Sequence, residues 1–271
     1  MKLIIMLFCL ALDRYLSVGL MLNRFVWFDK YLNFIYDFLN KKNLWTGGKG
    51  WFVTATLVAP LPLLGYVINL ILCNRLNGVA GFIFGLAVLI YCMGPEDLYA
   101  EIKQYTTTEN QGGSSALNKT LSKAIFWQAN ERIFAVLFWF SLLGPLGAIL
   151  YRVTALLRQS AERADSPYSL IVKHVTLIQD FLDWPSARVF SLGYSLAGSF
   201  TKSFAYWTEH LFKGLSSNRE LLSECGQVAV EAYTGHGKTL DENSATMALI
   251  DRTLIIYLVV VAFFTLGAWL Y

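Results

Sequence analysis

Charge is scarce in this chain. Of its 271 residues only 15% are Asp, Glu, Lys or Arg, against 55% hydrophobic and 15% aromatic, and the formal net charge is +3. Soluble domains carry about a quarter charged residues, so a surface that meets lipid is the simplest account of this deficit. Metal and redox patterns are missing as well. Three histidines, His174, His210 and His236, are scattered, and Cys9, Cys73, Cys92 and Cys225 show neither metal-ligand nor thioredoxin spacing. The cysteines read as small apolar packing residues, and no metal and no cofactor are expected. Nor is a nucleic-acid partner expected. The chain shows no internal repeat, and Cys9-Leu10-Ala11-Leu12-Asp13-Arg14 offers no small-residue cleavage site after the first apolar stretch. A retained first helix over 1–22 is therefore expected instead of a signal peptide, either interfacial or reaching the membrane by pairing its charges inside a bundle.

Long apolar runs are plentiful. A bilayer-spanning helix needs about 20 mostly apolar residues, because its backbone polar groups find no water there. Trp51 to Cys73 contains no charge, with Pro60 and Pro62 inside it as a kink; a polar Asn74-Arg75-Leu76-Asn77 turn follows, and the run over 78–93 completes a helical hairpin. A third span over 133–151 is interrupted by Gly144-Pro145-Leu146-Gly147, and a fourth occupies 254–271. Trp51, Tyr91, Trp139, Tyr151 and Trp269 fall near the ends of these runs, where amphipathic rings favour the headgroup layer. The expected fold is all-α: one polytopic membrane domain over 1–271, with four or five transmembrane helices plus amphipathic surface helices.

Lys and Arg flank the hairpin on both sides, whereas its turn holds only Arg75, which puts both flanks in the cytoplasm. For the long segment 152–252 two placements stand. A full third span puts it outside; a re-entrant span, broken at Gly144-Pro145, returns it to the cytoplasm. Thr106 to Thr120 reads as a Gly/Ser/Asn/Thr-rich linker. From Ser169 the stripe Ile171, Val175, Ile178, Leu182 predicts an amphipathic helix ended by Pro185. Ala187, Ser191, Ser195 and Ser199 then form a row of small residues that lets another helix approach closely. Ser217-Asn218-Arg219-Glu220 has capping-box spacing and predicts a helix start, with its end at Tyr233-Thr234-Gly235-His236-Gly237. The same stretch, extended through Lys238-Thr239, loosely fits a phosphate loop, but it follows a helix where such a loop leaves a strand, and a helix-ending turn explains it equally well.

Ionisable groups at membrane depth are expensive unless paired or used. Glu131 and Arg132 stand at the entrance to the broken third span and Arg152 at its exit; anchoring to headgroups and helix capping account for each taken singly.

The run Phe126-Trp127-Gln128-Ala129-Asn130-Glu131-Arg132-Ile133-Phe134, with Leu143-Gly144-Pro145-Leu146-Gly147-Ala148, Leu150-Tyr151-Arg152, Cys92-Met93-Gly94-Pro95-Glu96-Asp97-Leu98 and Phe181-Leu182-Asp183-Trp184-Pro185-Ser186-Ala187-Arg188, resembles the AmpE family of bacterial inner-membrane proteins. The resemblance implies a multi-pass inner-membrane protein that takes part in sensing cell-wall recycling. It further implies a link to β-lactamase induction, and a cytoplasmic anhydro-muropeptide amidase or a muropeptide as partner. That family is in turn similar to the CobD/CbiB membrane synthases of the cobalamin pathway, which join an aminopropanol phosphate to a corrinoid carboxylate. Their pattern is incomplete here: Tyr151-Arg152-Val153-Thr154-Ala155-Leu156-Leu157-Arg158 lacks the synthases' asparagine and final acid, and Arg132 replaces the glycine after the acid at Glu131. The resemblance thus gives Glu131, Arg132, Tyr151, Arg152, Asp183 and Arg188 as candidate site residues. It leaves a regulatory protein as the first reading and an amide-forming membrane ligase or small-molecule binder as the second. A transporter is the third reading, with a broken helix but no visible repeat to support it.

Overall fold

The computed structural model describes residues 2–16, 25–41, 50–75, 79–93, 115–163, 167–234 and 242–270. The Leu76-Asn77 part of the hairpin turn, the Gly94-Pro95-Glu96-Asp97 stretch, residues 106–114 of the linker and the Gly235-His236-Gly237-Lys238-Thr239 run lie outside them. Every described element is helical: α1 (Lys2–Leu16), α2 (Val26–Lys41), α3 (Gly50–Val58), α4 (Pro60–Arg75), α5 (Val79–Cys92), α6 (Ser115–Ala129), a π-turn (Asn130–Phe134), α7 (Ala135–Leu143), α8 (Pro145–Ala161), α9 (Val172–Ala197), α10 (Phe200–His210), α11 (Asn218–Thr234) and α12 (Glu242–Leu270). These form two compact units, one of Met1–Pro95 with Val136–Leu182, the other of Glu96–Ala135 with Asp183–Tyr271.

In the first unit α4 packs on α5 and α8, while α5 also packs on α1. Residues 26–41, which the sequence offered only as a cationic flank, form an amphipathic helix. Phe28, Leu32, Ile35 and Leu39 recur at helical spacing and enter a core with Val53, Leu57, Val153, Leu157 and Val175. The opposite face is aromatic and open, with Phe34 73% exposed. Asp29 in the first turn and Lys41 in the last suit the helix dipole.

The two interruptions expected from proline and glycine are present. Between α3 and α4 the ladder carries across Pro60, since Ala59 N–H donates to the Ala55 carbonyl (2.8 Å) and Leu63 N–H to that of Ala59 (3.2 Å). The break at Gly144 is sharper. Its φ of 68° is a left-handed conformation that glycine adopts without strain, and Pro145, needing no amide partner, opens α8. Gly147 is required for a different reason: a Cβ there would lie 2.2 Å from the Trp139 carbonyl oxygen.

Among the described residues two stretches are long and apolar enough to cross a membrane, Gly50–Leu72 and Ser244–Gly267, and only 22% and 28% of their most apolar windows are buried inside the protein. Their side chains therefore face outward, as lipid contact requires. Lys2–Leu12 and Val79–Cys92 are shorter apolar helices. The stretch Ser244–Gly267 begins before the expected residue 254. Helix α12 starts at Glu242, buries Ala245, Thr246, Leu249, Ile250 and Thr253, and carries exposed apolar side chains from Ile255 through Val259 to Phe263 and Phe264.

In the second unit α11 packs on α6, α10 and α12. Phe134 stacks on Phe190 at 4.2 Å, Phe190 meets Tyr257 at 4.8 Å, and Phe126 meets Tyr194 at 4.8 Å, an aromatic column joining α6, α9 and α12. Close approach depends on glycine: a Cβ at Gly193 would come 2.6 Å from Thr253 Cγ2, and one at Gly198 would come 2.7 Å from Ala229 Cβ.

Three local expectations need correction. Helix α9 runs through Pro185 to Ala197. Proline removes one N–H donor, yet the Trp139 indole donates to the Leu182 carbonyl (3.0 Å) and the Ser186 hydroxyl to that of Asp183 (3.1 Å), so side chains supply donors along this stretch. The linker ends earlier than Thr120, because α6 begins at Ser115. The helix expected after Ser217 does start at Asn218, but the Ser217 hydroxyl turns back to the Gly214 carbonyl (2.7 Å), where a capping box would have it accept from the helix.

The small-residue row is buried at Ala187, Ser191 and Ser195, while Ser199 lies beyond the end of α9. Ser195 bonds the Ser191 carbonyl at 3.1 Å and leaves no room for a longer side chain. Ser195→Leu should cost about 1–3 kcal/mol by overpacking and lower the melting temperature of the detergent-solubilised protein. Phe263→Leu, at a position 72% exposed, should leave it nearly unchanged.

Candidate functional site

The candidate residues fall in both units: Glu131, Arg132, Asp183 and Arg188 in the second, Tyr151 and Arg152 in the first. Arg188 is the most fully committed. It is 5% exposed, and its Nε donates to the Leu211 carbonyl (3.0 Å). Its Nη1 donates to the Trp184 carbonyl (3.2 Å) and to Asn218 Oδ1 (2.5 Å), and its Nη2 to the Lys213 carbonyl (2.7 Å). The guanidinium also lies over the Trp184 ring at 4.4 Å, and burial lowers its pKa from the ordinary value. The planar fork suits this task because three of its four acceptors are backbone carbonyls fixed in direction. One side chain thereby ties α9 to the α10–α11 connection and to the first residue of α11. The Arg188 carbonyl accepts in turn from Trp207 Nε1 (3.0 Å) and Ser191 Oγ (3.1 Å). Neither Trp207 nor Asn218 was singled out in the sequence; their contacts with Arg188 span 19 and 30 residues and leave no local signature.

Asp183 is fully buried, one residue before the Trp184-Pro185 step. Glu131 and Arg132 are half-buried on the π-turn, where the Ala135 N–H reaches five residues back to the Asn130 carbonyl. A π-turn inserts one residue into a helix and is frequent at functional positions. Asn130, passed over in the sequence reading, is fully buried there, and its Oδ1 and Nδ2 have no hydrogen-bond partner among the described residues. An amide in an otherwise apolar run beside an acid was the signal that could have found it.

In the first unit, Tyr151 is fully buried, whereas Arg152 lines a cavity of about 400 Å³. The walls come from α4 (Leu61, Leu64, Ile68), α5 (Phe84, Val88) and α8, and the Arg152 guanidinium lies 4.7 Å from the centre of the Phe25 ring. Phe25 meets Tyr91 edge-on at 5.5 Å, and Trp27 Nε1 donates to the Tyr91 hydroxyl. Elsewhere in this unit Arg158 pairs with Glu162 at 3.2 Å. Burial raises the Asp180 pKa from its ordinary value, with Glu162 adding to the rise and Arg158 opposing it. No group of three His, Cys, Asp or Glu that could hold a metal ion occurs among the described residues.

Among the described residues every element is helical, and two helices are long and apolar enough to cross a membrane. The family profile described as regulatory signalling modulator protein AmpE matches residues 112–270, more than half of the chain, which belongs to that family. Comparison with curated proteins and with solved structures gives no match to either.

Arg188→Met removes four charge-assisted hydrogen bonds, each worth up to about 1.5–3 kcal/mol. The melting temperature in detergent should collapse, and Arg188→Lys should recover only part of it, because an ammonium cannot span the fork. Asp180 gives a pH signature. A carboxyl whose folded pKa is raised binds its proton more tightly when folded, so stability falls as pH rises from the unfolded value of about 3.8 through the folded one. Asp180→Asn should flatten that decline in melts taken across the acid range.

Proposed function

We propose that the chain is a multi-pass regulatory protein of the bacterial inner membrane that takes part in sensing peptidoglycan recycling and in controlling β-lactamase induction. The observation that carries this reading is the family match over residues 112–270, whose description is regulatory, in a segment that includes one of the two helices able to cross a membrane. The finer count of spans belongs to the same proposal: α3–α4, α5, the broken α7–α8 pair and α12 cross or enter the bilayer, with α1 at its surface or within it. Its partners are the lipid bilayer together with a cytoplasmic anhydro-muropeptide amidase or a muropeptide.

The second reading is an amide-forming ligase or small-molecule binder of the cobinamide-phosphate-synthase type, using Glu131, Tyr151, Arg152, Asp183 and Arg188. Two observations weigh against it. Arg188 spends its donors on the protein's own carbonyls, and Asp183 and Tyr151 have no exposed surface with which to meet a diffusing substrate. A general acid or base must come within hydrogen-bond reach of the reacting group, and these side chains are not placed for it.

The test is β-lactamase induction in the source bacterium with this gene deleted and then restored at checked membrane abundance. Altered induction that the restored chain reverses is the expected result. Normal induction without the gene would remove the regulatory reading.

A further inference from the structure

Helix α2 presents three rows of side chains, each at helical spacing. Phe28, Leu32, Ile35 and Leu39 enter the core of the first unit. The open side is divided lengthwise: Trp27, Tyr31 and Phe34 follow one another at i, i+4 and i+7, and Asn33, Asp37 and Asn40 repeat that spacing on another row. Trp27 is 42% and Phe34 73% exposed, Tyr31 is half-buried, and the three polar residues are exposed. Lys30 and Lys41, also exposed, stand between the two open rows. A helix on the surface of a water-covered protein needs two faces, one apolar and one polar. The aromatic row of α2 is a third face, and it calls for a medium of its own.

What the row adjoins identifies that medium. Tyr31 donates its hydroxyl to the Leu57 carbonyl (3.0 Å), inside the Gly50–Leu72 stretch, and Trp27 Nε1 donates to the Tyr91 hydroxyl in the last turn of α5. Trp27 also lines the same cavity as Leu64, whose side chain is exposed on the outward apolar face of α4. The row is thus continuous with the outer surface of a bilayer-length stretch, and about 10 Å of helix separates Leu57 from the start of that stretch at Gly50. Indole and phenol rings favour the boundary between headgroups and acyl chains, and a helix lying there sinks its apolar side by about 5–10 Å. We propose that α2 lies along one face of the bilayer, with Trp27 and Phe34 in the boundary between headgroups and acyl chains, Tyr31 between them against α3, and Asn33, Asp37 and Asn40 in water. Asp29 and Asp37 balance Lys30 and Lys41 on this helix, so apolar contact carries the docking and the headgroup charge does not select it. The inference rests on the membrane placement proposed above and is independent of the link to β-lactamase induction.

The full chain is first recovered from the membrane fraction after carbonate washing. A chain released by the wash would defeat the membrane placement itself, and this proposal with it. Retained protein is then placed in phosphatidylcholine nanodiscs. Phe34→Cys and Asn40→Cys are spin-labelled one at a time in a chain whose four native cysteines are replaced by alanine, and relaxation by dissolved oxygen, which concentrates in lipid, and by a water-soluble nickel chelate is read. The label at position 34 should lie about 5–10 Å below the phosphates and respond to oxygen, while the label at position 40 responds to the chelate. In the chain with its native cysteines, phosphatidylcholine brominated on its acyl chains should quench tryptophan fluorescence, and Trp27→Phe should remove part of that quenching. Replacing half of the lipid with equally brominated phosphatidylglycerol should leave the Trp27 part unchanged. Equal access of the chelate to positions 34 and 40 would overturn the proposal by leaving the row in water. A position-34 label shielded from both reagents would overturn it by placing another protein chain over the row. Should the cysteine-free chain fail to fold, the Trp27→Phe comparison decides alone, and quenching unaltered by that substitution overturns the proposal.

Discussion

A helix that stops inside a protein with little water around it strands carbonyls and amides, each of which must find another partner. Much of this structure answers that constraint. At Pro60 the hydrogen-bond ladder is carried across the interruption, and at Gly144 a left-handed residue and a proline together leave few groups to satisfy. At Pro185 the indole of Trp139 and the hydroxyl of Ser186 donate to nearby carbonyls. In the connection after α10 a single arginine takes two carbonyls, those of Leu211 and Lys213, while holding the first residue of α11. The packing of α11 on α6 and α12 depends on where that helix starts. Arg188 is therefore part of the fold's framework in the second unit.

What could be read in the sequence follows from how local each signal is. The breaks at Pro60 and Gly144-Pro145, the start of α11 after Ser217 and the buried row Ala187, Ser191, Ser195 depend on residues within a turn or two of one another. Backbone chemistry of that range is written in the residue types. Helix α2 was equally legible from Phe28, Leu32, Ile35 and Leu39, but a reading aimed at charge-free runs passes over an amphipathic helix with a mean polarity. Pro185 misled because no local signal shows α9 continuing past it; the Trp139 indole that donates to the Leu182 carbonyl stands 43 residues away. The same holds for the site. Arg188 was named only through the family resemblance; that carbonyls 23 and 25 residues away would take its donors was not legible.

The family match constrains the interpretation by where it begins. Residues 112–270 include the second unit's α6, α10, α11 and α12, the whole of α9, and the α7–α8 pair, but none of α1 to α5. The Arg188 clamp and the π-turn with Asn130, Glu131 and Arg132 thus lie wholly inside the segment that carries the regulatory description. The cavity beside Arg152 is different. Its α8 wall is inside the matched segment and its α4 and α5 walls precede it. A property of the shared segment alone can reside in the clamp or the π-turn; a property of the cavity also requires the hairpin that this chain places before it.

Arg152 and Arg188 show why residue type alone could not separate structure from function here. In sequence Arg152 stands at the exit of the broken span, where anchoring to headgroups accounts for it, and Arg188 enters only through the family resemblance. The structure gives them different surroundings. Arg188 faces carbonyls on three sides and a tryptophan ring, an environment complete without any further molecule. Arg152 lies along a phenylalanine ring at the wall of a space large enough to hold a chain of carbon atoms. Acceptors fixed in the backbone commit the Arg188 guanidinium to the fold, whereas Arg152 borders an apolar cavity in the other unit.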